Sequence, residues 1–181
     1  MLKTVREATF ADVEAIIDYF LMSTPEFLRG RGIDPKKLPL KQDWCEKLQY
    51  NMTLPYEEKQ LFYLIWQING VAVGHSHISD IVFAKEAYMH LHLWKDEFRC
   101  QGNGAFFVRH SLPYYFENFA LQRLFCQPYS YNEGPNKTLS KVGFRFLKHH
   151  RPVPFGIHYE QDMNLWTIEK KDLSYFNRNE I

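Results

Sequence analysis

A chain of 181 residues with 45% apolar side chains can bury one sizeable core, and is too short for two independent domains of ordinary size. Its 22 Lys and Arg nearly balance 21 Asp and Glu, and like charges never run beyond a few residues, so bulk charge names neither nucleic acid nor a membrane surface as partner. Three cysteines, Cys45, Cys100 and Cys126, without C-x-x-C spacing argue against both a disulfide framework and a cysteine zinc site. With no signal-peptide core and no apolar run of the ~18 residues a membrane span requires, a cytoplasmic location is expected.

The first element in chain order is a short strand followed by a helix in KTVREATFADVEAIIDYFL, Lys3–Leu21. Thr9 and Asp12 have capping-box spacing, and Phe10, Val13, Ile16, Ile17, Phe20 and Leu21 fall on one helical stripe that should pack against a sheet. From Ser23 to Pro55 periodicity fails, predicting a long irregular connection with one short helix over Lys41–Tyr50. Two extended runs in QLFYLIWQINGVAVGHSHISDI meet at Asn69-Gly70, the dipeptide of a tight hairpin turn. A third run, Ala87–Trp94, completes an antiparallel meander. Beyond it we expect a helix from Gly104, a strand over Arg123–Tyr129, a helix over Pro135–Val142, and strands over Phe144–His149 and Met163–Lys170. Pro113 removes one donor from the first of these helices and should kink it. The class is mixed α/β, in one domain over the whole chain.

Between the third run and its following helix stands FRCQGNGAFF, Phe98–Phe107. Helix N-termini carry unpaired N–H groups and partial positive charge, and glycine admits a ligand close to the backbone, so such a turn suits phosphate. The loop has neither the third glycine of a dinucleotide fingerprint nor the Lys-Ser/Thr pair of a nucleotide P-loop. The spacing R-x-x-G-x-G over Arg99–Gly104 resembles the acyl-CoA pyrophosphate loop of the GNAT N-acetyltransferases. Downstream, Asn132, a short helix and Gly143-Phe144 resemble the second motif of that family, and the element order agrees along nearly the whole chain. The likeness is greatest to the branch containing the ribosomal-protein N-terminal acetyltransferases.

That resemblance implies a central, twisted, mostly antiparallel sheet of about seven strands with helices on both faces. It implies acetyl-CoA as co-substrate and a primary amine, of a small molecule or a protein N-terminus, as acceptor. Backbone amides of Gln101, Gly102, Asn103, Gly104 and Ala105 would hold the pyrophosphate, while Arg99 would orient the loop or meet a phosphate oxygen. Leu93 and Trp94, at the end of the strand, and Asn132 would contact the pantetheine arm, lying between the splayed strands that start at Ala87 and Arg123. Asn136 and Lys137 are further candidate contacts, with an ordinary capping role the competing reading for Asn136. Two departures stand out. Pro135 occupies a position where relatives often carry Ser, and Leu139 one where many carry the Tyr that protonates the leaving thiolate. Tyr129 and Tyr131 are near enough in sequence to substitute, and Tyr131 is taken as the candidate acid.

An amine must lose its proton before attacking a thioester, which calls for a base or relay. His75 and His77 on one strand, and His90 and His92 on the next, sit at i, i+2 spacing and so share faces some ~6–7 Å apart. Met89, Leu91 and Leu93 should face the core, leaving Tyr88, His90, His92 and Trp94 on a polar opposite surface. The arylalkylamine acetyltransferases, also GNATs, resemble this chain in carrying H-x-H on the strand before the loop; by that count His90 is the candidate base. A rival comes from His90, His92, Glu97 and Gly104, which match the first metal motif of cupins, with only a near match to the second in PFGIHYEQDMN, Pro154–Asn164. The preferred reading binds no metal. It is an acetyl-CoA-dependent N-acyltransferase using direct attack in a ternary complex, with the acceptor entering between Phe27–Trp44 and His158–Trp166. Arg29, Arg31, Lys36 and Lys37 there would suit an acidic acceptor or form a plain solvated surface. A non-catalytic acyl-CoA sensor is the alternative, and an open sheet edge leaves room for a homodimer.

Overall fold

The computed structural model describes residues 1–153 and 156–175, the last two in backbone alone. Seven strands form one sheet in the order β1-β2-β3-β4-β5-β7-β6. They are β1 (Lys3–Glu7), β2 (Phe62–Ile68), β3 (Val71–Val82), β4 (Glu86–Leu93), β5 (Arg123–Cys126), β6 (Arg145–His150) and β7 (Met163–Glu169). Every pairing is antiparallel except β4 with β5. The mostly antiparallel sheet of a mixed α/β chain is therefore as expected.

Helices cover both faces because strand residues alternate. On one side Phe62, Leu64, Trp66 and Ile68 of β2 join Met89 of β4 and the buried stripes of α4 (Asn103–Asn118) and α5 (Glu133–Val142). On the other, Tyr63 and Ile65 meet Val13, Ile16, Ile17 and Phe20 of α1 (Val13–Leu21), with Leu28 of α2 (Pro25–Arg29) and Trp44 and Leu48 of α3 (Lys41–Thr53). β2, covered on both faces, is thus apolar at nearly every position, with Gln67 its one amide side chain. Inside the α4 side a polar chain is fully partnered: Trp66 Nε1 donates to Ser111 Oγ (3.1 Å), and Tyr115 OH donates to Ser76 Oγ (2.6 Å), which contacts Ser111. Unpartnered, each of these buried groups would cost about 1–3 kcal/mol.

The hairpin is as predicted, with Asn69 at φ 49° and Gly70 at φ 78° closing on the pair Ile68 and Val71. Thr9 donates through its backbone N–H to the Asp12 carboxylate at 2.8 Å, completing the expected N-terminal motif. Arg6 holds the same carboxylate with two bonds of 2.7 Å. Three expectations need correction. Phe10 leaves the stripe and is 56% exposed, because residues 10–12 form a 3-10 turn before the α-helix begins. The irregular connection contains α2, started by Thr24 Oγ1 accepting from the N–H of Phe27 and by Pro25 at its first position. β5 stops at Cys126 instead of running to Tyr129, since Pro128 has no N–H for the ladder; a single bridge from Tyr129 to Met163 resumes the pairing. Helix α4 is continuous through Pro113. Among the described residues, no helix is long and apolar enough to cross a membrane.

Candidate active site

β4 and β5 pair at only three positions, Glu86 with Arg123, Ala87 with Leu124 and Tyr88 with Phe125. Beyond them the strands part, and a cavity of about 440 Å³ opens between Met89–Leu93 on one side and Cys126–Tyr129 on the other. The first turn of α4 and the inner face of α5 make one wall. Tyr19, Arg31, His90, His92 and His158 line the other part.

The glycine loop is braced from within. Gly102 is the N-cap of α4 at φ 76°, a left-handed backbone in which a side chain is strained, and open space surrounds its missing Cβ. Asn103 is buried and donates from Nδ2 to the Phe98 carbonyl at 2.9 Å; Gln101 donates to the Glu97 carbonyl at 2.6 Å. Arg99 Nη2 donates to the Leu93 carbonyl at 2.8 Å and Nη1 pairs with Asp96, so Arg99 ties the loop to the end of β4. Gly104 has a second reason to be glycine. A Cβ there would stand 3.3 Å from Thr138 Oγ1, so its absence lets α4 and α5 close on each other.

The other expected cofactor residues separate into two groups. Leu93, Arg99, Gly102, Gly104, Ala105, Asn132 and Lys137 all line the cavity. Gln101, Asn103, Trp94 and Asn136 do not. Trp94 faces the opposite side of the sheet, where its indole N–H donates to His75 Nδ1 at 2.8 Å. Asn136 is consumed by structure: Nδ2 donates to the Tyr129 and Asn132 carbonyls (3.1 and 2.8 Å), and Oδ1 accepts from Asn164 and Trp166 (3.0 and 2.9 Å). It fastens the start of α5 to β7. Gly134, Thr138 and Lys141 line the cavity and were missed, although their spacing with Lys137 marks one face of α5.

The histidines form a layer inside the protein, which corrects the expectation of a polar sheet surface. His75 pairs across the ladder with His92, and His77 with His90. Tyr63 stacks on His77 at 4.5 Å, His77 on His90 at 4.5 Å, and Phe20 of α1 meets His92 at 5.0 Å. Burial first, then mutual repulsion, holds His75, His77 and His92 well below the usual 6.5. Burial, with His158 nearby, pushes His90 down to about 3. The rings are therefore neutral at pH 7.

Hydrogen bonds then fix where their protons sit. An indole can only donate, so His75 Nδ1 is an acceptor and Nε2 carries the hydrogen. Ring nitrogens of His75, His77 and His92 lie within 4.8 Å of one another, yet His75 in this tautomer has no spare lone pair for a metal. The open sheet has no resemblance to a jelly roll, and Glu97 of the cupin match lies in a 3-10 turn at residues 96–98. Pro154 and Phe155 of the second near match lie outside the described residues. At His90, Nε2 is 2.9 Å from Ser79 Oγ, and that hydroxyl donates to the exposed Asp80 carboxylate at 2.9 Å. Having given its only hydrogen to Asp80, Ser79 must accept from His90 Nε2–H. His90 Nδ1 is left with a lone pair.

Around the thiol end, Leu139 is fully buried in the core, and Tyr131 is 76% exposed and not a lining residue, whereas Tyr129 is. Burial raises the Cys126 thiol far above its usual range, leaving it protonated and unsuited to act as a nucleophile. The two segments expected to flank the acceptor entrance are stitched together: Asp34 N–H donates to Ile157 O at 2.8 Å and Tyr159 N–H to Gly32 O at 3.1 Å. They form a wall of the cavity, not a mouth.

No protein-family model matches the chain, and no curated protein matches its sequence. Solved structures do match in shape. The RimL ribosomal L7/L12 α-N-protein acetyltransferase in complex with coenzyme A is 16% identical, with 94% of this chain and 95% of that one covered and a TM-score of 0.75. Spermidine N-acetyltransferase from Vibrio cholerae, in complex with CoA and spermine, is 13% identical over 95% and 98%, with a TM-score of 0.77. The ribosomal-protein-S5-alanine acetyltransferase from Vibrio fischeri is 18% identical over 94% of each chain, at 0.75. Strand order, the parted β4–β5 pair and these likenesses along nearly the full length together give the chain the fold of the GNAT acetyltransferases.

Proposed function

We propose that the protein is an acetyl-CoA-dependent N-acetyltransferase that passes the acetyl group directly to an amine bound in the same cavity. The observation that carries this reading is the gap between β4 and β5, which leads from the α4 N-terminus to His90. Backbone N–H groups of the first turn of α4 have no intrahelical partner, and Lys137 and Lys141 stand across from them on α5. That is a donor set suited to a diphosphate. Unpaired edges of β4 and the Gln127–Tyr129 segment, with Asn132, suit the amide-bearing pantetheine arm.

In this reading the acceptor amine donates to His90 Nδ1 as it attacks the thioester carbonyl. A ring with pKa about 3 is a poor place to store a proton. It need not store one, because as Nδ1 gains a proton Nε2 can release its own to Ser79, whose hydroxyl proton moves to the solvent-exposed Asp80. Tyr129, which lines the cavity, is the proton source we favour for the departing thiolate over the exposed Tyr131. The test is calorimetry with CoA, followed by thiol release from acetyl-CoA with a panel of amines. Micromolar binding with turnover that falls at least tenfold in Ser79→Ala, with CoA affinity unchanged, is the expected result. Absence of CoA binding overturns the reading; binding without turnover on any amine favours a sensor, consistent with the missing hydroxyl at Leu139.

A further inference from the structure

Within the acetyltransferase reading, on which this rests, we infer that the acceptor is an amine that also carries a carboxylate, and that Arg31 is the residue that receives it. The described residues lining the cavity include no Asp and no Glu, so nothing there is built to bind an acceptor as a polycation. Arg31, in contrast, lines the cavity and is half-buried. Among the described residues it belongs to no ion pair: Asp96 attracts it from a distance but is paired with its neighbour Arg99. A permanently charged guanidinium taken this far out of water is ordinarily paired with an anion.

The side chain is held in place without such an anion. Arg31 lies just beyond α2, its Nη1 donates to the Phe27 carbonyl at 3.1 Å, and the guanidinium sits over the Phe27 ring with Cζ 3.4 Å from the centroid. Gly32 at φ 75° turns the chain directly afterwards, and Ile33 is bridged to His158. With one N–H on the Phe27 carbonyl and another hydrogen-bonded to Tyr19, the five-donor guanidinium still retains N–H groups for a carboxylate. From there Tyr19 leads to His92, at a ring separation of 5.3 Å, and His90 follows two residues along β4, roughly 6–7 Å away by strand rise. An acceptor reaching from Arg31 to His90 therefore needs several bonds between its carboxylate and its amine. ω-Amino acids and short peptides with an acidic side chain have that shape; polyamines do not.

The test uses the full chain with ω-amino acids bearing two to five methylenes, each beside its carboxamide, and spermidine. Two readouts are taken: thiol release, and direct calorimetric binding of the same compounds to the protein. Wild type should favour an acid over its carboxamide by about 10–100-fold in kcat/KM or affinity, the range of one charge-assisted contact. Arg31→Gln should erase that preference through KM, leave kcat within threefold, and leave CoA affinity unchanged; Arg31→Lys should retain only part of it. Equal use or binding of acid and carboxamide, a preference for spermidine, or an Arg31→Gln variant that keeps the preference overturns the inference. Loss of CoA binding in wild type instead sinks the acetyltransferase reading, and the carboxylate binding data still judge Arg31.

Discussion

The wall of the cavity toward α5 comes from residues 99–105 and 134–141, two short stretches whose conformations follow local rules: a left-handed glycine, a helix start and one face of a second helix. The wall around His90 gathers Tyr19, Arg31, His90, His92 and His158 from four separated parts of the chain. One end is thus specified by neighbours in sequence and the other by packing. Only the second can diverge freely, since its residues come from several separate parts of the chain and can change without disturbing a loop that must keep one backbone shape. This suits a protein in which a constant co-substrate meets a particular acceptor.

Acid should break the comparison most sharply, because the packed end is the one that titrates. His75, His77, His90 and His92 are all held below 6.5 in the folded protein, so between that value and about 3, the level reached by His90, the unfolded chain binds more protons. Stability is then fully present above pH 6.5 and lost as pH falls. Each ring resists protonation in the folded state, so urea midpoints should drop from pH 7 to 5.5, and His77→Gln should flatten the slope. Midpoints unchanged over that range contradict a neutral histidine layer.

A second, smaller effect separates the two glycines at the local end. Gly102→Val places a β-branched residue at φ 76° and should cost about 1–2 kcal/mol, with CoA binding weakened tenfold or more. Gly104→Ala instead crowds Thr138, so the double variant Gly104→Ala/Thr138→Ala should recover thermal stability. If the double variant also recovers full CoA affinity, Gly104 serves helix packing and not the diphosphate.

The weakest expected effect is electrostatic. Lys141→Ala should raise the CoA dissociation constant about three- to tenfold at low salt, with the difference shrinking at 0.5 M as screening takes over, because such exposed contacts act through water. Lys36→Ala, in the 3-10 turn after α2 and not a lining residue, should show no change.

Much of the frame was legible. Asn69-Gly70 demanded positive φ at two residues and so a tight hairpin, and alternation along Ala87–Trp94 sorted Met89, Leu91 and Leu93 correctly onto the core side. The same alternation placed His90 and His92 on the other face, but could not show that Phe20 and Tyr19 pack on His92 or that His158 approaches His90. Asn136 illustrates the opposite limit: its position at a helix start was readable, while its four bonds depend on Tyr129, Asn132, Asn164 and Trp166 coming together.

What the chain determines by itself is the set of features with short-range causes: strand and helix periods, the left-handed turn at Gly102, and the loop that opens α4. Tertiary structure alone decided that β4 and β5 separate after three pairs, that the histidines are covered enough to stay neutral, and that Arg31 and His158 share a wall with His90. The physical reason is that periodicity and backbone preference act over a few residues. Desolvation and long-range contact depend on which distant segments arrive, and those are set by the minimum of the whole packed chain.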